Sequence, residues 1–592
     1  MADFTFWYTL GLLILMSVAL IREWLEIEVV LFSVLALLLL GGVVSVEEAV
    51  AGFSNEGMLT IGLLFIVAGS LYHTGIIEQI NLILFGKNRG RMSTKLLRIL
   101  LPTSALSAFM NNTPLVALLI PAVRKWSEVH QISASRFLIP ISYAAILGGM
   151  CTLIGTSTNL IVHGLMVDHE MPGLALFEIS AIGVPAAVVG VLFIALIGYR
   201  LLPDRKKPMV ELGENTREFV IELKVLPEYR YIGRTVEEAG LRHLKGLFLF
   251  QIERQGHIIA PAAPDERILE GDRLFFTGLP RTILELQKTP GLQLIKDSTF
   301  DLKQYHSAEI GTYEAVVSPG SPLVGKNVRE SNFRQRYGAV IIAIHRHGER
   351  IKQKIGDIVL RPGDTLLLLA GKAFRRKWYH SKDFYLVSDT EPIPSRPHWQ
   401  GYFSIAVFLG MIALVLMNLL PLLAAALLAT IVLLVTRTVT PSEARQLVDL
   451  RVLIIISGSF GIAAGLENSG LARFIGEAVV ALAEPFGPLG IVAGIYAIAG
   501  LYTTFITSNA TAAILFPVAV FAATGAGIEA RPLAITVALA AAANFATPIS
   551  YQTNLMVYGP GGYKFIDFLK IGLPLQILVG TLCVLLIYWK YF

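Results

Sequence analysis

Charge, cysteine and phosphate-binding loops are all scarce in this chain. Charged side chains make up 16% of its 592 residues and hydrophobic ones 54%, which excludes an ordinary soluble protein and calls for several membrane spans. The two cysteines, Cys151 and Cys583, lie in separate apolar segments, so neither a thiolate metal set nor a disulfide is expected. No Walker loop or nucleophile–base constellation stands out, so ATP-driven pumping and hydrolysis are not indicated and the chain does not read as an enzyme. Residues 5–21 lack a preceding basic n-region and a small-residue cleavage site, and read as a retained span rather than a signal peptide. The net charge of +5 is read as membrane topology, with no nucleic-acid polymer as partner.

What is present is a pattern written twice. Residues 109–121 carry Asn111-Asn112-Thr113 inside an apolar stretch, and residues 505–517 carry Ser508-Asn509-Ala510-Thr511 in another. Downstream of each lies a second polar cluster, Gly155-Thr156-Ser157-Thr158-Asn159 and Thr547-Pro548 with Ser550, Thr553 and Asn554. Uncharged polar interruptions at corresponding places in two hydrophobic halves point to a transporter's substrate site. Apolar spans are placed near 5–21, 27–44, 57–75, 137–166 and 173–200, and again near 400–417, 420–437, 451–470, 532–558 and 568–589. Between the third and fourth of the first set, residues 96–127 read as a re-entrant hairpin with a polar tip, because arms of about 15 residues fall short of the roughly 20 a crossing needs, and the repeated layout places a second hairpin at 488–523. Phe65, Ala68, Leu71 and Gly75 match Phe460, Ala463, Leu466 and Gly470, and Glu178, Gly183 and Pro185 match Asp567, Gly572 and Pro574. Five crossings per half require the halves to be inverted relative to each other.

Charge sets the expected orientation. Lys87, Arg89, Arg91, Lys95 and Arg98, then Arg124, Lys125 and Arg136, then Arg205, Lys206 and Lys207 fall on one side, and so do Arg437, Arg445 and Arg451. Glu47, Glu48, Glu56, Asp168 and Glu170 fall on the other. The positive-inside rule puts residues 203–398 in the cytoplasm and both termini outside. That insertion has its own repeat, at an offset of 92: Gly233, Val236, Gly246, Gly256, Gly271 and Asp272 match Gly325, Val328, Gly338, Gly348, Gly363 and Asp364. The strand-like runs 247–252, 273–276, 339–344 and 365–369 make it two tandem α+β modules. His345 and His347 lack an acidic or cysteine partner nearby and are assigned to a solvated strand.

Half-helix N-termini at the tips would hold an anion without a buried Arg or Lys. Asn111, Asn112, Thr113, Thr158, Asn159, Ser508, Asn509, Ala510, Thr553 and Asn554 are the substrate-binding candidates. Sodium wants oxygen ligands, so Ser107, Asn112, Gly155 and Thr156 form one candidate set and Thr504, Asn509, Ala546 and Thr547 another. Each such residue also has a plainer reading as a helix cap or a back-bonded hydroxyl. His73, His163, Glu56, Glu467 and Lys570 sit near span ends and read as structural or snorkelling groups.

On these tips and breaks the chain resembles the divalent anion/sodium symporter (DASS) family over roughly 1–202 and 399–592. The resemblance implies a scaffold domain, an elevator-type transport domain, two sodium sites and a homodimer. Members carry Ser-Asn-Thr at both tips, where dicarboxylate carriers receive two carboxylates; here the tips read Asn111-Asn112-Thr113 and Ser508-Asn509-Ala510. The stretch Ser550-Tyr551-Gln552-Thr553-Asn554 looks like the permease branch that includes sulfate transporters. The insertion, divided as 203–300 and 301–398, resembles two RCK-C (TrkA-C) domains, which often bind small ligands including nucleotides. The expectation is an α-helical polytopic membrane protein of the plasma membrane. It would be a sodium-coupled symporter of a small divalent oxyanion, sulfate ahead of a dicarboxylate or another anion such as arsenite. A channel gated by the cytosolic modules is the alternative of another class.

Overall fold

The structure, a computed structural model, describes residues 2–73, 91–204, 220–295, 310–386 and 398–592, except positions 23, 26, 131, 242–246, 256, 260–261, 263–264, 279–288, 319–320, 347–348, 352, 354, 372–373, 375–377, 379–382 and 549–550. Gly75, Lys87, Arg89, Arg205, Lys206, Lys207, Gly246, Gly256, His347, Gly348 and Ser550 therefore lie outside the described residues.

The first half runs α1 (Ala2–Ile21), α2 (Ile27–Leu40), α3 (Val46–Ala51), α4 (Glu56–His73), α5 (Met92–Ser107), α6 (Asn112–Val129), α7 (Leu138–Gly149), α8 (Ser157–Asp168) and α9 (Ser180–Leu196). After the insertion the second half runs α11 (His398–Leu416), α12 (Leu422–Val435), α13 (Pro441–Leu447), α14 (Leu450–Asn468), α15 (Leu471–Ala483), α16 (Gly487–Phe505), α17 (Ser508–Ala526), α18 (Ala530–Ala542), α19 (Gln552–Tyr558) and α20 (Phe565–Tyr591), with α10 (Phe333–Tyr337) inside the insertion. Among the described residues, seven helical stretches are long and apolar enough to cross a membrane. Large apolar side chains such as Leu409, Val435, Ile577 and Trp589 stand exposed on the outside, the surface of an integral membrane protein.

The expected spans 137–166 and 532–558 are each broken, into α7 and α8 around residues 150–156 and into α18 and α19 around residues 543–551. The hairpins are present as α5–α6 and α16–α17. Their arms run 16, 18, 19 and 19 residues; the first is lengthened by Met92-Ser93-Thr94-Lys95 ahead of its apolar stretch, whereas both arms of the second are among the helices long and apolar enough to cross a membrane. Helix α15 was not expected. It buries only one stripe, Leu471, Ala472, Gly476, Val479 and Ala483, and a stripe that narrow does not read as a span.

Among the described residues, the insertion forms two five-stranded antiparallel sheets. The first comprises β1 (Val220–Val225), β2 (Leu247–Arg254), β3 (His257–Ile259), β4 (Arg273–Gly278) and β5 (Leu292–Leu294), in the order β3-β2-β4-β1-β5. The second comprises β6 (Ile310–Val317), β7 (Ala339–Arg346), β8 (Glu349–Arg350), β9 (Thr365–Gly371) and β10 (Phe384–Leu386), whose order, read from the other edge, is β8-β7-β9-β6-β10. The 92-residue offset persists in the contacts. Arg254 pairs with Asp272 and Arg346 with Asp364, and each aspartate follows a glycine at positive φ, Gly271 (+81°) and Gly363 (+82°). His345 corrects the solvated-strand reading: it is 5% exposed, because β7 lies between β8 and β9 rather than at an edge.

One apolar core runs through both membrane halves. Tyr143 is fully buried in it, its ring edge-on to Phe545 and Phe568 and its hydroxyl donating to the Phe545 carbonyl at 2.6 Å. Gly183 and Gly572 permit α9 and α20 to press on the two breaks. A Cβ on Gly183 would meet Met150 O at 2.2 Å, and one on Gly572 would meet Phe545 O at 2.0 Å.

Candidate functional site

A helix broken inside a membrane leaves carbonyl and amide groups that must find partners within the protein. Here an asparagine closes each break. Asn159 donates its side-chain amide to Gly149 O (3.3 Å) and Thr152 O (2.9 Å). Asn554 donates to Asn544 O (3.2 Å) and Thr547 O (3.1 Å), at the same separations of ten and seven residues. Both asparagines are fully buried.

Each hairpin tip meets the break of the opposite half. Ser157 and Thr158 donate to Asn509 Oδ1 at 2.9 and 3.3 Å. Asn112 Nδ2 donates to the Tyr551 hydroxyl at 2.6 Å, and the Thr113 hydroxyl donates to Gln552 Oε1 at 3.2 Å. The Ser107 hydroxyl donates to Asn112 Oδ1 within the first tip. Two hairpins and two breaks thus converge on one uncharged centre: residues 107–113, 150–159, 503–511 and 543–554 contain no Lys, Arg, Asp or Glu.

The second tip keeps open donors. Thr507 precedes α17 at the cap position but makes no side-chain cap bond. The hydroxyl oxygens of Thr507, Ser508 and Thr511 are buried without a partner among the described residues, a costly arrangement in an apolar interior. Uncapped N–H groups at a long helix's N-terminus beside unpartnered hydroxyls are donors for an anion. Thr156, ahead of α8, likewise makes no side-chain cap bond.

A second kind of chemistry lies beside the first tip. A Cβ on Gly155 would stand 2.6 Å from Gly149 O and 3.0 Å from Ala108 O, and one on Gly149 would stand 3.1 Å from Asn112 Oδ1 and 3.3 Å from Gly155 O. Only glycine permits this approach, which gathers backbone and side-chain oxygens of the kind a hard cation takes. On the other side the Thr504 carbonyl accepts from Thr547 Oγ1 at 3.4 Å, while the Thr504 hydroxyl donates back to Gly500 O at 2.8 Å. Ala546 N donates to Gln576 Oε1 at 3.1 Å.

The structure therefore gathers Asn112, Thr113, Thr158, Ser508 and Asn509 at the tips and breaks. Asn111 lines a crevice with Phe65, Phe109, Gly155, Thr156 and Ser157. Thr553 and Asn554 accept from the Ser142 hydroxyl behind the second break, and Ala510 is buried with no polar side chain to offer. Tyr551, Gln552 and Gln576 were not among the expected site residues. Gln576 carried a usable signal, a lone amide inside the apolar run 571–588. The two cysteines are buried and free.

The family model described as citrate transporter matches residues 17–540. The chain is 38% identical over 574 residues to the "Putative sulfur deprivation response regulator" of Chlamydomonas reinhardtii, covering 95% of this chain and 98% of that one. It is 30% identical to an uncharacterized transporter of Synechocystis sp., over 99% and 98% of the two chains. It is 26% identical to sodium/sulfate cotransporter 1 of Chlamydomonas reinhardtii, over 95% and 87%.

Proposed function

This chain belongs to the citrate transporter family and is a transporter rather than an enzyme, and from that premise we propose that it is a secondary carrier coupling sodium to the symport of a small divalent oxyanion, sulfate first. The observation that carries this reading is the second hairpin tip. Buried hydroxyls of Thr507, Ser508 and Thr511 await a partner at an uncapped helix start, in a centre free of fixed charge. The oxygen cluster of Ala108, Asn112, Gly149 and Gly155 supports a sodium site beside it. Relatives named as sodium/sulfate cotransporters support both choices.

The same reading takes 1–202 and 399–592 as inverted membrane repeats with lipid-facing outer helices. The insertion, 203–300 and 301–398, is cytoplasmic with both termini outside, in the plasma membrane, and its two modules take a small regulatory ligand. Tips and breaks move together against a scaffold of α1–α4 and α11–α14 within a homodimer, an elevator motion.

Radiolabelled sulfate uptake into proteoliposomes tests the proposal. Uptake driven by an inward sodium gradient is expected, and uptake indifferent to sodium would remove the coupling. The description of the matching family model favours a second reading, a citrate-like carboxylate substrate. Sodium-driven citrate uptake with no response to sulfate would select it.

A further inference from the structure

The two breaks correspond residue by residue, and one corresponding pair is unlike in size. Asn159 and Asn554 are counterparts, because each reaches back ten and seven residues to the carbonyls of its own break. Counting upstream from each asparagine pairs Ser157 with Gln552 and Thr156 with Tyr551. The tips pair in the same way, Asn112 with Asn509. At one side, then, the short hydroxyls of Ser157 and Thr158 meet Asn509. At the other, a phenol and a long amide meet Asn112 and Thr113. The Tyr551 hydroxyl thus stands at the Asn112 amide, 2.6 Å away, on the side where its counterpart Thr156 would leave a short side chain.

The consequence is a difference in what each tip leaves open. At the first tip, Asn112 is shared between Ser107 and Tyr551, and the Thr113 hydroxyl goes to Gln552. At the second tip, the hydroxyls of Thr507, Ser508 and Thr511 are buried and have no partner among the described residues, with Ser508 7% exposed and Thr511 fully buried. An anion whose charge sits on one compact centre needs only one such tip. A chain-like dianion with two separated charges needs both.

We propose that Tyr551 sets the substrate's size limit. It fills the first tip's share of the centre, confines the anion to the second tip, and so admits a single-centre tetrahedral oxyanion while excluding linear dicarboxylates. This rests on reading the centre as an anion site, and it names the side chain that gives that site its selectivity.

The test uses the purified full-length protein in proteoliposomes with labelled sulfate, competed by malonate, succinate and citrate. Wild type is expected to resist a tenfold excess of succinate. Y551T, which installs the counterpart residue, should lower the succinate concentration for half-inhibition at least tenfold, with a smaller change in sulfate half-saturation. Y551F keeps the ring and should keep the cutoff, while loss of the Asn112 contact raises sulfate half-saturation by up to about tenfold. Y551W should crowd the centre and raise sulfate half-saturation at least tenfold, which provides a reading if Y551T does not fold. A folded Y551T with the wild-type cutoff overturns the proposal, and so does a Y551W with unchanged sulfate half-saturation. Wild-type uptake of succinate as good as that of sulfate also overturns it while leaving an anion carrier standing. Wild type that takes up none of these anions overturns the anion reading itself.

Discussion

Arg124, on the second arm of the first hairpin, forms a buried ion pair with Glu314 of strand β6, their side chains 4% and 5% exposed. Close by, a Cβ on Gly559 would lie 2.0 Å from Thr365 Oγ1, and one on Gly363 would lie 2.8 Å from Leu555. The second sheet thus rests on both a hairpin arm and the helix after the second break. Removing one partner of a buried pair leaves an uncompensated charge and costs about 3–5 kcal/mol, whereas replacing both with apolar residues is often near neutral. Glu314→Ala should therefore lower thermal stability sharply, and Arg124→Leu with Glu314→Leu should regain most of it. Thermal unfolding of the three proteins in detergent measures this. Equal stability of single and double variants would show that the pair carries no weight.

The tips carry the next prediction. Asn112→Ala and Asn509→Ala should each cut uptake at least tenfold while leaving a folded, monodisperse protein. Each deletes a side chain that joins a tip to the opposite break through neutral hydrogen bonds, and each asparagine makes two such bonds, worth about 0.5–1.5 kcal/mol apiece. Near-normal uptake in both purified variants would remove these residues from the site.

Much of this centre is legible in the sequence. Uncharged polar clusters stand out against apolar sequence, and Ser107 and Thr504, each five residues before an asparagine, mark the tips as related. The strand runs of the insertion were readable for the same reason, as alternations and apolar runs between Gly-Asp turns. Partnership was not readable. Asn112 and Tyr551 are 439 residues apart, and nothing local says that a phenol will meet that amide. Nor does composition separate a polar residue that stitches a break, as Asn554 does, from one whose hydroxyl stays open, as that of Ser508 does. Helix α15 escaped because its apolar stripe is narrow, and the burial of His345 because strand order is a tertiary property.

Sodium coupling gives an asymmetric expectation. Ser107→Ala should raise the sodium concentration for half-maximal uptake several-fold, more than it raises that for the anion. Ser107 is buried and bonded to Asn112 within the oxygen cluster. Thr504→Ala should do the same more weakly, because its hydroxyl already donates to Gly500 O in its own helix. Sodium titrations of initial uptake rates compare the two. Wild-type uptake unchanged when choline or potassium replaces sodium would point to protons instead.

A pH dependence follows from His169, just past the end of α8. Its Nδ1 faces the Leu165 carbonyl at 2.8 Å and its Nε2 faces the Glu467 carboxylate at 2.7 Å. Both are acceptors, so only the imidazolium, a donor at both nitrogens, satisfies the two contacts at once. The hydrogen bond to Glu467 is the largest cause raising the His169 pKa, and nearby Asp168 acts in the same direction. The Asp168 carboxylate is itself held by Asn55, ahead of α4, at 2.9 Å. A raised folded-state pKa gives stability that is fully present below the unfolded value of about 6.5 and is lost as pH rises through the folded value. Because the pair is a quarter exposed, the gain is roughly 1 kcal/mol. Wild type should therefore unfold at a higher temperature than His169→Gln near pH 6, and the gap should close toward pH 9. Since the pair ties α8 to α14, its loss at alkaline pH also loosens the break-bearing helices from their neighbour. A gap that is flat with pH, or that widens on the alkaline side, would show that the imidazolium is not the form holding this contact.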